Sequence, residues 1–506
     1  MSQKSYSELK EFVSLGFPML LSQVALQLIG FNAVIQSGNY SKEVLAGILM
    51  ANAIWFPIFL SLGGLIFFVT PMVAQLYGAN KLNRIGPLIR QAYWLVIPLI
   101  IIGMAILFVA PLALGYIGIS DEIRFHAQQY LSTFMFAIPA ILLAQPLRSL
   151  TEGIKRPLPV TLTNFLMLIM AIIGNYLFIF GNYGFPEMGA KGSGLSAIIG
   201  TWTALFILLI YIKFSKAYEP TEFFKKIDLP SFTTIKEILS GGLPMGISNF
   251  IELSMFSGAT LILGRLGADV VSAHGIALNI GGLLFMVPLS VGMAASVIVG
   301  NKIGEADFIG ARYSSFYSLK FGCFLAFFNM LILLTASEFL VSIINQDPNV
   351  IEIAVLLLVF AAFFQVADAL VIGAQGSLRG YKVTISPMII MLISFWVLAM
   401  PFGYSLAVTD FWNIKLGAPG MWTGMFVGLF VCASLMVWRM NFVTSKVIEL
   451  QKEGLSIDPK NSLINGRLGL LYLKTNRLNL AKERLKTLSD CDCEEYIQLK
   501  SIIDKY

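Results

Sequence analysis

Charge is scarce in this chain: 13% of its 506 residues are Asp, Glu, Lys or Arg, against roughly 25% in a soluble domain. With 57% hydrophobic residues and a mean hydropathy of +0.78, that shortage excludes a soluble globular fold and points to a polytopic membrane protein. Histidine is nearly absent, and neither His126 nor His274 has a second ligand at metal-binding spacing. Four cysteines imply no disulfide framework. Cys323 and Cys432 lie inside apolar runs, where a free thiol behaves as a small hydrophobe, and Cys491-Asp492-Cys493 is too slight a motif to define a metal site. No G-x-x-x-x-G-K-S/T loop occurs, so no ATP-driven motor of that type is visible. Nor is there a nucleophile, base or metal constellation for a membrane-embedded enzyme. The net charge of +6 is scattered through short loops, which reads as orientation bias rather than a nucleic-acid surface.

What is abundant is apolar sequence in runs of about 20 residues, the length that crosses hydrocarbon as a helix. Twelve such segments are expected, near 12–37, 46–77, 90–115, 125–151, 160–182, 190–213, 237–263, 270–300, 315–344, 351–377, 384–407 and 417–441. The polar N-terminus MSQKSYSELKEF carries no trusted processing site, so no cleaved signal is expected. Alternate connections hold Lys81, Arg84, Lys155, Arg156, Lys213, Lys216, Lys225, Lys226, Lys236, Lys302, Arg312, Arg379 and Lys382. The opposite set holds Lys42, Arg124, Lys191, Arg265 and Lys415. This asymmetry predicts both termini in the cytoplasm.

The chain also repeats itself. Gly16–Met19 (GFPM) recurs as Gly242–Met245 (GLPM), a shift of 242 − 16 = 226, and Val73–Asn80 is matched at the same shift by Val299–Ala306. Thr151–Gly153 meets Leu378–Gly380, and Gly189–Gly192 meets Gly417–Gly420. Matches kept in order along the chain indicate two six-helix halves rather than chance loop similarity. Three domains are expected: an N-terminal lobe over 1–225, a C-terminal lobe over 226–445 and a cytoplasmic tail over 446–506. Parallel repeats of this kind belong to transporters whose sites lie near the midplane.

PMVAQLYGAN (71–80), LRSLTEG (147–153), AHGIALN (273–279), VGNKIGEAD (299–307) and GSLRGYK (376–382) together resemble the multidrug and toxic compound extrusion family, most closely its NorM-like branch. The resemblance covers about residues 8 to 442. It implies an all-α fold of two six-helix lobes around a central cavity, and a Na⁺- or H⁺-coupled antiporter in a bacterial inner membrane that exports organic, often cationic drugs. The coupling ion takes the place of a cofactor, and the expected partners are a small organic substrate and membrane lipid.

Two acids interrupt the apolar runs. Glu252 lies about 12 Å deeper than Pro244 by helix rise, and Asp368 sits in FFQVADALVIGAQ. A charge at such depth costs at least ~2.5–3.5 kcal/mol and is by default functional. The alternative is a polar cluster that glues helices together. By resemblance these are the family's C-terminal-lobe cation ligands, and two carboxylates suit a hard cation, with protonation as the competing outcome. Asn249, Ser248 and Asn279 are weaker oxygen candidates. For the substrate cavity, Gln23 and Gln27 share a helix face, and Asn32, Asn175 and Gln365 are further candidates; the alternative is interhelical hydrogen bonding. The sequence departs from the family at Ala33, where an aspartate is usual, at Ala171, where a second asparagine is usual, and at Phe364 in place of a tyrosine. The N-terminal-lobe proton site therefore reads as dismantled. The 21 Met and 39 Phe residues can form an adaptable binding wall or simply pack and face lipid.

After about residue 445 the composition turns polar. Leu468-Gly469, Tyr472 and Ala481 have the spacing of a single tetratricopeptide helix pair, with a generic helical hairpin as the alternative and a protein partner as its possible use. Two competing functions remain on sequence alone: a flippase for a lipid-linked envelope precursor, since fold does not settle substrate, and a transport-inactive scaffold, which gains nothing from buried acids.

Overall fold

The computed structural model describes residues 3–114, 120–409, 411, 415–457, 462, 465, 466, 470, 478–489, 491 and 493–504. The described regular elements are all helical. In the N-terminal half they are α1 (Gln3–Tyr40), α2 (Lys42–Phe67), α3 (Val69–Gly78), α4 (Ile85–Leu114), α5 (Asp121–Phe134), α6 (Ile138–Gly153), α7 (Leu158–Phe178) and α8 (Ala190–Phe214). The C-terminal half holds α9 (Phe232–Leu263), α10 (Ala268–Gly304), α11 (Phe308–Ile344), α12 (Pro348–Gly380), α13 (Ile385–Met391), a π-helical stretch Leu392–Ala399, α14 (Met400–Ala407) and α15 (Ala418–Ile457). In the tail, α16 (Leu478–Thr487) and α17 (Glu494–Ile503) pack through Ala481, Leu488, Leu499 and Ile503. The tetratricopeptide residues Leu468, Gly469 and Tyr472 lie outside the described residues. Cys491 and Cys493 are bridged to each other.

Among the described residues eleven helical spans are long and apolar enough to cross a membrane, and the pair α5–α6, bent by 49°, makes a twelfth if it is one span. The bend follows from sequence: Pro139 opens α6 without an amide hydrogen to offer the preceding turn. Segment two is interrupted only at Phe68 between α2 and α3, where the backbone stays helical (φ −62°, ψ −21°), and Lys42–Gly78 forms one span. The helices outrun the expected spans mainly at one end. Lys302 and Arg379, expected in loops, are inside α10 and α12, because a helix can carry a long basic side chain in its final turn.

The duplication appears as reciprocal contacts. A Cβ on Gly78 would stand 1.9 Å from the Asn301 carbonyl oxygen, and one on Gly304 would stand 2.0 Å from that of Gln75. Both pairs are related by 226 (304 − 78 and 301 − 75). Gly153 lies against Val73 as Gly380 lies against Val299. The turns after these helices repeat too, with Asn80 and Ala306 at φ 57° and 56°, and Lys155 and Lys382 at φ 62° and 60°. Each half has an apolar core, the N-terminal one extending onto α9 through Ile238 and Met245, and a third cluster, including Phe12, Leu15, Met19, Ala74, Val291 and Ile298, also joins the halves.

This joining cluster lies at the end of the bundle that carries the N-terminus. Cross-half polar contacts gather there: Gln75 Nε2 donates to the Gly380 carbonyl (2.8 Å) and Asn301 Nδ2 to that of Ala74 (3.3 Å). Buried Glu8 pairs with Lys302 and accepts from Ser314 Oγ (2.9 Å). Farther along, a Cβ on Gly30 of α1 or Gly282 of α10 would meet nothing within 4 Å. The halves are clamped at the end that carries the N-terminus, and α2 and α9 keep contact farther along through Asn249 and Leu60.

Candidate cation site

α9, α12, α15 and the π-helical stretch build the site in the C-terminal half. Glu252 on α9 and Asp368 on α12 are both half-buried, and each lies in the field of the other. Among the described residues neither carboxylate has a hydrogen-bond partner, which is uncommon for a charged group in low dielectric. The buried Cys432 thiol of α15 lies beside Ser394 and within the field of both acids. Ser394 is itself fully buried, and the Cys432 thiol is the group beside its hydroxyl. Ser394 was missed from sequence, although π-helical turns often mark functional positions. Its only sequence signal is a lone hydroxyl within the apolar run MLISFWVLAM.

Phe364, standing where the family places a tyrosine, stacks on Trp422 with ring centroids 5.3 Å apart. Trp422 Nε1 donates to His274 Nδ1 (3.0 Å), which leaves the His274 proton on Nε2, 3.1 Å from Thr260 Oγ1. His274 is a satisfied core residue.

The other candidates are dispersed. Asn249 Nδ2 donates across the halves to the Leu60 carbonyl (3.1 Å), and Ser248 Oγ donates back to Pro244 in its own helix (2.8 Å). Asn279 is exposed and donates to Gly275 of its own helix (2.8 Å). Buried Gln365 accepts from Asn329 (3.1 Å) and donates to the Gly281 carbonyl (3.3 Å). In the N-terminal half, Asn32 Oδ1 accepts from Gln36 (2.8 Å), and buried Asn175 has no partner for its Oδ1 among the described residues. Gln27 is half-buried.

Gln23 belongs to a network that sequence reading did not anticipate. Arg148 and Glu152, both buried on α6, form an ion pair at 2.7 Å, and Arg148 also donates to Gln23 Oε1 (3.1 Å) and faces the Phe67 ring (5.3 Å). The buried charges are thus not all acidic. The signal was LRSLTEG, in which Arg and Glu stand four apart on one helix face.

A duplicated bundle of membrane-length helices, with two unpartnered carboxylates in one half, has the architecture of a membrane transporter. The family model MatE matches residues 18–177 and 244–405, two blocks whose starts are again 226 apart. The probable multidrug resistance protein NorM of Pasteurella multocida is 34% identical over 440 residues, covering 87% of this chain and 95% of that protein. The multidrug resistance protein PmpM of Pseudomonas aeruginosa is 34% identical over 435 residues, covering 86% and 91%. The eukaryotic MATE transporter AtDTX14 superposes with a TM-score of 0.79 at 18% identity, covering 88% of this chain and all of that one. This chain belongs to the MatE family and is a NorM-like membrane transporter.

Proposed function

We propose that the protein is a cation-coupled antiporter that exports organic, predominantly cationic compounds from a bacterial cell by alternating access. The observation that carries this reading is the Glu252–Asp368 pair: two carboxylates at mid-depth, among described residues without hydrogen-bond partners. They have spent no lone pairs on the protein and are free to take a cation or a proton. Binding one discharges the site, and a drug cation competes for the same negative field. The 34% identity to multidrug resistance proteins supports the substrate class.

Coupling runs through the C-terminal half alone. Ala33 and Ala171 remove the acid and amide expected in the other half, and Glu152 there is already bound to Arg148. With the basic loops in the cytoplasm, the clamped end faces the cytoplasm. In inverted membrane vesicles, Glu252→Gln should abolish the dependence of uptake on an imposed Na⁺ or H⁺ gradient, while Ala33→Asp should not be needed for transport. Gradient-driven transport by the Gln variant at the native rate would defeat this reading.

A further inference from the structure

The repeat places Arg379 of α12 at the position that Glu152 occupies in α6, since Thr151–Gly153 aligns with Leu378–Gly380. In the N-terminal half this position closes a buried ion pair with Arg148 one turn earlier. In the C-terminal half the position of Arg148 is taken by Gln375, which is buried and contacts the Met391 sulfur (3.4 Å). Arg379 therefore has no acid on its own helix one turn away. Its Nε is buried without a hydrogen-bond partner among the described residues.

Arg379 lies 11 residues after Asp368, about three helical turns, so both point from the same face of α12. The axial separation is ~16 Å by helix rise, and an extended arginine directed back along the helix closes this to roughly 10 Å. The carboxylate whose field reaches it is Glu252 on α9. Glu252 is thus coupled to Arg379 as well as to Asp368.

We propose that Arg379 is a resident countercharge of the Glu252–Asp368 site, leaving it a net charge of −1 that admits a single monovalent cation or proton and rejects divalent cations. Arg379 is a specificity-determining residue that contacts no substrate. In the N-terminal half the aligned position is neutralised by its own helix, where Arg148 pairs with Glu152. The inference rests on the assignment of Glu252 and Asp368 as the exchange site.

The test is equilibrium binding of ⁴⁵Ca²⁺ and ²²Na⁺ to the purified full-length protein. Native protein and Arg379→Lys should bind no ⁴⁵Ca²⁺ at millimolar concentration. Arg379→Gln should bind it, and should bind ²²Na⁺ more tightly by on the order of tenfold, the effect of one charge about 10 Å away at an effective dielectric of ~20. Glu252→Gln combined with Arg379→Gln should lose the acquired Ca²⁺ site. Arg379→Lys controls for folding, because it keeps the charge and changes the shape. Absence of ⁴⁵Ca²⁺ binding in a monodisperse Arg379→Gln protein would overturn the countercharge role, as would Ca²⁺ binding by the native chain. Gradient-driven efflux that survives in Glu252→Gln would instead refute the underlying site, a separate outcome read in a separate assay.

Discussion

The reciprocal glycine contacts give a conformational prediction that can be worked from distances. A methyl group on Gly78 would lie 1.9 Å from a backbone carbonyl oxygen, so Asn301 must retreat by about 1.5 Å to reach the 3.4 Å of ordinary contact. The obstructing atom is backbone, and no rotamer change relieves it. Overpacking of this kind costs typically 1–3 kcal/mol. The penalty falls on the clamped state, because α3 and α10 need not touch once that end opens. A bias of 1–3 kcal/mol shifts a two-state equilibrium by roughly 5- to 150-fold. Spin labels at Asn83→Cys and Ile309→Cys, in a background without other cysteines, report the separation of the halves at that end. Both positions are exposed and are related by the same 226-residue shift. Gly78→Ala should move population from short to long distances, Gly304→Ala should do so to a similar extent, and Gly30→Ala, where a Cβ meets nothing, should leave the distribution unchanged. An unaltered distance distribution in a folded Gly78→Ala protein would refute the argument that this crossing limits opening.

Three further outcomes are expected. Glu152→Gln leaves the Arg148 charge buried and should lower stability by about 3–5 kcal/mol, whereas replacing both partners with apolar residues should be nearly neutral; thermal unfolding in detergent measures both. The Asp228 carboxyl is held below its usual value by its hydrogen bond from Arg90, at 2.8 Å. Its contribution is therefore complete above the ordinary aspartate range and is lost as pH falls below that range through the lowered native value, so Asp228→Asn should lower stability at pH 8 and flatten the acid limb of the profile. Truncation after Ser445 should retain transport in a correctly inserted protein, read as efflux per inserted molecule, and its loss would show that the tail is part of the transport unit.

The spans and the duplication were legible in the sequence because both rest on long patterns. Twenty apolar residues average over local irregularities, and the 226-residue shift that aligns Gly16 with Gly242 also relates the two blocks of the family match. Glu252 and Asp368 stood out because an acid contrasts with apolar neighbours. The cations did not. Arg379 and Lys302 were counted with the loops, since basic residues at segment ends are the expected orientation signal, yet Arg379 has a buried Nε and Lys302 is paired with Glu8. A one-dimensional pattern gives a residue's distance from the end of a run, but not whether the side chain turns back into the bundle. For Gln23 the sequence left a cavity face and interhelical hydrogen bonding open, and its Oε1 accepts from Arg148, 125 residues away in sequence. The π-helical stretch at Leu392–Ala399 leaves no trace in composition, because its residues are as apolar as those of any span.

The most direct test of the account is efflux of a fluorescent organic cation from proteoliposomes under an imposed Na⁺ or H⁺ gradient, comparing the native chain with Glu252→Gln and Asp368→Asn. The account predicts gradient-driven efflux in the native protein and its loss in both variants. Efflux retained by both, or none from the native chain with either ion, would contradict it.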